Sequence, residues 1–173
     1  MRFVKQATVN ASADQVWSIF AHDFDNAYKW MASIPHSYAQ ANGELFVGAE
    51  SAGRVCELSP SGTGMKASEK FLAYDEATKT CTVRIDFVDT PLIFPVQYNT
   101  LDFKVIETGE QRSEMTWVFR SQIKPWAYLM WPLIRIGFGA GVGRIAEELK
   151  FYVENGTSHP RKVAAMKRLE NAA

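Results

Sequence analysis

The chain has 173 residues, of which 47% are hydrophobic and 13% aromatic, and its 19 basic residues balance its 19 acidic residues. This length is typical of one domain with a sizeable core, and this apolar content excludes a disordered chain. The lack of a basic excess argues against a nucleic-acid partner, because a nucleic-acid-binding face must neutralise phosphates.

The N-terminal segment and the cysteines predict a cytoplasmic protein. The first ten residues lack the long apolar run of a signal peptide. Cys56 and Cys81 form no CxxC pair and have no nearby histidine, so we expect two reduced, buried thiols. Residues 126–143 contain Pro132, Arg135 and four glycines. We do not expect them to span a membrane, which takes about 20 apolar residues.

The N-terminal third begins with a predicted strand over residues 2–9. The segment from Ser12 to Gln15 matches a capping box, which predicts a short helix that ends near His22. A second short helix is predicted from residue 26 to about residue 32, with Asp25 as its N-cap.

After Pro35 the pattern changes to strands and turns. A weak strand is predicted within residues 37–45, followed by strands at 53–58, 66–74, 80–88, 96–106 and 113–123, with turn clusters at 59–64 and 109–110. Short connections of this kind predict an antiparallel meander. Alternation in the last strand places Met115, Trp117, Phe119 and Ile123 on one face.

A long amphipathic helix is predicted from Pro132 to a stop at residues 155–156. Its apolar stripe consists of Ile134, Phe138, Val142, Ile145, Leu149 and Tyr152. Glycines at positions 137, 139, 141 and 143 should weaken its first half, and only Gly141 falls within the stripe. We expect the other three to mark a bend or a later helix start. Residues 157–173 are predicted to be a frayed tail or a short, exposed basic helix.

The order of these elements, together with several short motifs, resembles the helix-grip fold of the START-like (SRPBCC) superfamily, nearest its bacterial polyketide cyclase/dehydrase-like branch. The motifs that carry the resemblance are residues 11–17 (ASADQVW), Asp23-Phe24 with Trp30, Gly53-Arg54, residues 69–75 (EKFLAYD), Trp117, and residues 149–156 (LKFYVENG). The resemblance implies an α+β domain over residues 1–156. A curved antiparallel sheet of about seven strands would wrap around the long C-terminal helix, with two short helices after the first strand.

The superfamily fold also implies a cavity between the sheet and the long helix. Its lining would comprise Phe71, Val83, Ile85, Tyr98, Met115, Trp117, Phe119, Phe138, Val142 and Ile145. For each of these residues, ordinary core packing is the alternative interpretation. The implied function is the binding or transfer of a small hydrophobic molecule such as a lipid, isoprenoid, quinone or polyketide. A cyclase/dehydratase-type enzyme and an interaction protein without a ligand are the alternatives.

Glu69 is the candidate polar group of that cavity. By alternation it shares a face with Phe71, and an inward carboxylate needs a partner, for which Arg54 on the preceding strand is the candidate. The pair either fixes a hairpin or anchors a polar group of the ligand. In the enzyme interpretation, Glu69 and Tyr98 would be the catalytic groups.

The remaining polar and aromatic residues do not indicate a further catalytic or binding site. His22, His36 and His159 are scattered, and we predict neither a metal site nor a cofactor. Trp126, Tyr128 and Trp131 either cap the open end of the core or lie exposed at the cavity mouth. In the second case they would contact a membrane surface or a partner. The oligomeric state is left open.

Overall fold

The computed structural model describes residues 1–40, 42–59 and 64–171. Three α-helices and seven strands occur in these ranges. The strands are β1 (Arg2–Val9), β2 (His36–Ala39), β3 (Gly53–Glu57), β4 (Lys66–Asp75), β5 (Thr80–Val88), β6 (Val96–Gly109) and β7 (Arg112–Ile123). The helices are α1 (Ala13–Trp17), α2 (Trp131–Asn155) and α3 (Pro160–Glu170). The predicted turn cluster at 59–64 lies largely outside the described residues.

The seven strands form one antiparallel sheet in the order β1-β7-β6-β5-β4-β3-β2. Consecutive strands from β2 to β7 are neighbours, which confirms the predicted meander, and β1 closes the order beside β7. Val142 and Leu149 of α2 are buried in the same core cluster as the inner faces of the strands. The fold is therefore the predicted α+β helix-grip arrangement.

The connection from β1 to β2 contains one predicted helix and one that differs from its prediction. Ser12 and Gln15 form the predicted capping box, with reciprocal hydrogen bonds of 3.2 and 3.0 Å. After α1 the chain continues as a π-helical turn, Ser18–His22. The second helix is a short 3₁₀ segment, Phe24–Lys29, that no side chain caps, so the predicted cap by Asp25 is wrong.

Helix α2 is continuous from Trp131 to Asn155, and a left-handed Gly156 (φ 67°) ends it as predicted. The glycines therefore do not mark a later helix start. Gly139 and Gly143 face β1, where an added Cβ would lie 3.3 Å from the Phe3 ring and 3.5 Å from Lys5. Gly139 thus allows a close approach of the helix to the edge strand, which the sequence pattern did not reveal, whereas a Cβ at Gly143 would make an ordinary contact with Lys5.

The C-terminal segment is a docked helix, so of the two predicted alternatives the short helix is observed and the frayed tail is not, although Lys162 of this helix is buried rather than exposed. Pro160 occupies the first turn of α3, and the His159 side chain accepts a hydrogen bond from the Arg161 backbone N–H. Lys162 is buried, and its Nζ donates to the Ile34 carbonyl at 2.7 Å. Arg161 Nε donates to the buried Glu148 at 3.0 Å. These polar contacts attach α3 to α2 and to the chain segment before β2.

Across the described ranges, no helix has the length and apolar character that crossing a membrane requires.

Candidate functional site

A cavity of about 290 Å³ lies between the inner face of the sheet and the first half of α2. It contains eight of the twelve residues that the sequence proposed as a ligand site. These are Arg54, Glu69, Ile85, Trp117, Phe119, Phe138, Val142 and Ile145. Apart from one ion pair, these residues present aromatic and aliphatic surface.

Ten further residues line the cavity and were missed in the sequence. They are Met31, Ser33, Ile34, Leu58, Ala67, Phe87, Asn99, Leu101, Gly137 and Gly141. Strand alternation provided a signal for Ala67, Phe87 and Leu101, which continue the inner faces of β4, β5 and β6. No periodic signal marks Met31, Ser33 and Ile34, because they lie in an irregular segment.

Three proposed lining residues belong to the core behind the cavity. Phe71, Val83 and Met115 are buried on the inner face, yet none of them lines the cavity. The Phe71 ring packs against Phe24, with centroids 4.4 Å apart. For these three residues, ordinary core packing is the correct interpretation.

Tyr98 lies on the outer face of the sheet, so its predicted inward orientation is wrong. The pairing of β6 with β7 shifts register between Val96 and Tyr98, and from there the inward positions of β6 are Asn99, Leu101 and the alternate residues that follow. The Arg84 guanidinium stacks over the Tyr98 ring, 3.5 Å from its centroid. Tyr98 and Glu69 are therefore on opposite faces, and the proposed catalytic pair does not assemble.

Arg54 and Glu69 form the polar part of the cavity lining, and Arg54 is the partner that the sequence suggested for Glu69, directly paired with it across β3 and β4. Arg54 Nε and Nη2 reach Glu69 Oε2 at 2.9 and 2.7 Å. Nη1 donates to the Phe24 carbonyl at 2.8 Å, and the guanidinium also lies over the Phe24 ring. Burial alone would lower the pKa of Arg54, but the Glu69 carboxylate more than compensates and the pKa is raised. The pair is buried, and the Arg54 guanidinium is held between the Glu69 carboxyl group and the Phe24 carbonyl.

The ion pair begins a row of directly paired residues that crosses five strands. Arg54 pairs with Glu69, Glu69 with Ile85, Ile85 with Asn99, and Asn99 with Ser121. All five residues are buried, and the first four line the cavity. Since adjacent strands are about 4.8 Å apart, Glu69 and Asn99 lie roughly 10 Å apart on the cavity floor.

Opposite this floor, two glycines of α2 leave the helix surface bare. Gly137 and Gly141 line the cavity, and a Cβ added to either would meet nothing within 4 Å. The glycine run therefore has two faces, because Gly139 and Gly143 contact β1 instead. The free volume above Gly137 and Gly141 is part of the cavity.

The other reactive groups of the described chain do not form a catalytic centre. Burial raises the pKa of the Cys56 and Cys81 thiols, which keeps both neutral and poorly nucleophilic. Within the described residues, no group of three or more His, Cys, Asp or Glu side chains is arranged to hold a metal ion.

Exposed apolar side chains cover the turn before α2 and its first half. We call this surface the exposed apolar strip, and it comprises Trp126, Tyr128, Leu129, Met130, Leu133 and Ile136. Leu129 is 92% exposed, and Ile136 is 72% exposed. The Lys124 N–H donates to the Pro95 carbonyl at 2.8 Å, which joins the strip to the β5–β6 loop, where Leu92 is 95% exposed.

Solved structures with the same fold confirm the architecture. A START superfamily protein from Mycobacterium smegmatis matches at 14% identity with a TM-score of 0.61, covering 99% of both chains. Ara h 8.0201 matches at 16% identity with a TM-score of 0.62, covering 88% of this chain and 97% of its own. A point mutant of norcoclaurine synthase from Thalictrum flavum, in complex with a transition-state analogue, matches at 19% identity with a TM-score of 0.59, covering 88% and 93%. These identities support a shared fold and nothing finer.

Comparison of the sequence with known protein families identifies the family of this chain. No curated protein matches it significantly. Residues 1–154, which contain every residue that lines the cavity, match the family described as "Polyketide cyclase / dehydrase and lipid transport". The chain therefore belongs to this polyketide cyclase/dehydrase and lipid transport family.

Proposed function

We propose that this protein binds a small, largely apolar molecule in the cavity between the sheet and α2. The observation that carries the proposal is the open space over Gly137 and Gly141, which faces a floor of apolar strand residues. Lipid, isoprenoid, quinone and polyketide-like molecules all have the required apolar character, and transfer of such a molecule between donors and acceptors is the associated activity.

The helix-stability cost of Gly137 and Gly141 supports the interpretation that the space above them is kept open for a ligand. Each glycine inside a helix costs about 0.5–1 kcal/mol relative to alanine. An alanine at Gly137 or Gly141 would meet no other atom, so packing does not require glycine at either position. An apolar ligand would recover roughly 25 cal/mol for each Å² of apolar surface that it buries. The cavity volume of about 290 Å³ is at the low end of ligand sites, which suits a small molecule.

We further propose that the exposed apolar strip contacts an anionic membrane surface during ligand exchange. From Met115 to Ala146 the sequence contains four basic residues and no Asp or Glu. Trp126 and Tyr128, two of the aromatic residues singled out in the sequence, lie on the strip at 42% and 57% exposure. Trp131 is half-buried and stacks on the Tyr128 ring, so it supports the strip from beneath. Apolar side chains flanked by cations suit a negatively charged bilayer.

The remaining parts of the proposal concern location and catalysis. Two buried, unpaired cysteines suit the reducing cytoplasm, where we place the protein. Catalysis by Glu69 with Tyr98 is not part of the proposal, because Tyr98 lies on the opposite face of the sheet.

A fluorescence titration tests the proposal. N-phenyl-1-naphthylamine is an apolar probe whose emission rises when it leaves water. We expect saturable binding with one site per chain and a probe-dependent rise in the melting temperature, because a ligand that binds only the folded state stabilises it. Unsaturable binding with no change in the melting temperature would refute the proposal.

A further inference from the structure

The carbonyl oxygen of one buried side chain on the cavity floor has no hydrogen-bond partner in the described part of the chain. Asn99 is 2% exposed and lines the cavity, and its Oδ1 atom has no partner among the described residues. A buried acceptor without a partner costs about 1–3 kcal/mol relative to a satisfied one. Asn99 therefore lowers the stability of the folded protein unless a bound molecule supplies the missing hydrogen bond.

The surroundings of Asn99 indicate that neighbouring side chains do not fill this role. On one side Ile85 is apolar, and beyond it Arg54 and Glu69 are engaged with each other. On the other side Ser121, directly paired with Asn99, is also buried, with an Oγ that lacks a partner. Among the described residues of the cavity floor, the fold therefore leaves one acceptor unused, Asn99 Oδ1, and the Ser121 hydroxyl, which does not line the cavity, does not donate to it.

A second unpartnered atom lies on the same cavity wall. Trp117 Nε1 has no hydrogen-bond partner among the described residues, but the indole meets the Phe20 and Phe103 rings at 80° and 78°. Aromatic contacts of this kind are part of ordinary core packing. We therefore assign the ligand contact to Asn99.

We propose that the ligand of this cavity is an apolar molecule bearing a hydroxyl group, and that Asn99 recognises that hydroxyl. The inference rests on the proposed binding function. The unpartnered Asn99 Oδ1 is an acceptor, and a ligand hydroxyl can donate to it. A pure hydrocarbon would leave the amide unsatisfied and would be bound less tightly than its apolar surface predicts.

The test uses two probes of the same shape, naphthalene and 2-naphthol, each measured by displacement of N-phenyl-1-naphthylamine. The measured quantity is the ratio of the naphthalene dissociation constant to the 2-naphthol dissociation constant. In Asn99→Leu, which removes the amide at similar volume, we expect this ratio to fall about three- to tenfold, the size of one net hydrogen bond. Asn99→Ala is the second variant, in case leucine does not fit.

Ser113→Ala is the matched control, because the Ser113 hydroxyl is also buried without a described partner but lies outside the cavity. Its ratio should equal that of the unmodified protein. An unchanged ratio in both Asn99 variants, or an equal fall in the control, would overturn the assignment to Asn99. Failure of the binding function itself would appear differently, as an absence of saturable N-phenyl-1-naphthylamine binding to the unmodified protein.

Discussion

Arg54 and Glu69 face each other across β3 and β4, and Arg54 Nη2 lies 2.7 Å from Glu69 Oε2 with side-chain exposures of only 3% and 8%. The same guanidinium donates to the Phe24 carbonyl, so the pair also joins the sheet to the 3₁₀ segment after α1. Burying an ion pair costs desolvation free energy, so the pair adds little net stability. Removing only one partner is strongly destabilising, because the other charge is then buried without compensation.

Glu69→Leu should be strongly destabilising, because it leaves the Arg54 guanidinium buried without its counter-charge. We expect a loss of about 3–5 kcal/mol in the free energy of unfolding, measured by urea denaturation. The double variant Arg54→Met/Glu69→Leu should recover most of this loss. Asp86→Ala, which breaks an exposed pair with Arg84, should cost about 1 kcal/mol or less. A double variant that is less stable than Glu69→Leu would contradict this account.

Two neighbouring carboxylates of α2 test the docking of α3. Both accept from Arg161, but the Glu148 side chain is 4% exposed and that of Glu147 is 65% exposed. Glu148 also accepts from the Ala32 N–H at 2.9 Å. Glu148→Ala should therefore cost about 1.5–3 kcal/mol, the value of hydrogen bonds to a buried charge, and Glu147→Ala about 1 kcal/mol or less. Equal melting temperatures for the two variants would argue against a structural role for α3.

Glu76 makes the stability of the protein depend on pH. Burial would raise the pKa of the Glu76 carboxyl from 4.5, but hydrogen bonds from Trp17, His22 and Tyr74 outweigh burial and lower the pKa to about 2. A lowered pKa means that the ionised carboxylate stabilises the folded state above pH 4.5, and that this contribution is lost as the pH falls from 4.5 toward about 2.

The measurement is the difference in unfolding free energy between the unmodified protein and Glu76→Gln across that range. It should be largest near neutral pH and shrink below pH 4.5. A difference that stays constant with pH would show that the carboxylate charge is not involved.

Vesicle sedimentation tests the proposed membrane contact. Leu129→Asn/Ile136→Asn removes two of the most exposed side chains of the exposed apolar strip, and we expect it to bind phosphatidylglycerol-containing vesicles less than the unmodified protein does. Pure phosphatidylcholine vesicles should bind both proteins weakly, because the basic residues then have no anionic partner. Val47→Asn, at a 96% exposed site away from the strip, is the matched control. Equal binding by all three proteins would disprove the contact.

The longer strands and helix α2 could be predicted from the sequence, because each has a strong periodic signal. The alternation in β5 and β7 and the stripe on α2 locate the inner faces, and the Ser12–Gln15 capping box fixes the start of α1. These features depend on residues close in sequence, and the structure follows them.

The orientation of Tyr98 was available in the sequence, because alternation at Leu101, Phe103 and Val105 indicates that Asn99 points toward the cavity and Tyr98 outward. The irregularity between Val96 and Tyr98 exchanges the faces only at the start of β6. Features that depend on tertiary contact could not be predicted. The two faces of the glycine run are visible only once β1 is seen beside α2. Helix α3 has a weak local signal, and its order depends on contacts to Glu148 and Ile34, more than ten residues away in the chain.

The most direct test of the central claim compares probe binding by Gly141→Leu and Gly143→Leu. The two sites lie on the same helix. A side chain at Gly141 would extend into the cavity, and a Cβ at Gly143 would lie 3.5 Å from the flexible end of Lys5. If the cavity binds the ligand, Gly141→Leu should abolish saturable N-phenyl-1-naphthylamine binding, and Gly143→Leu should bind as the unmodified protein does. Undiminished binding by a folded Gly141→Leu variant would contradict the account.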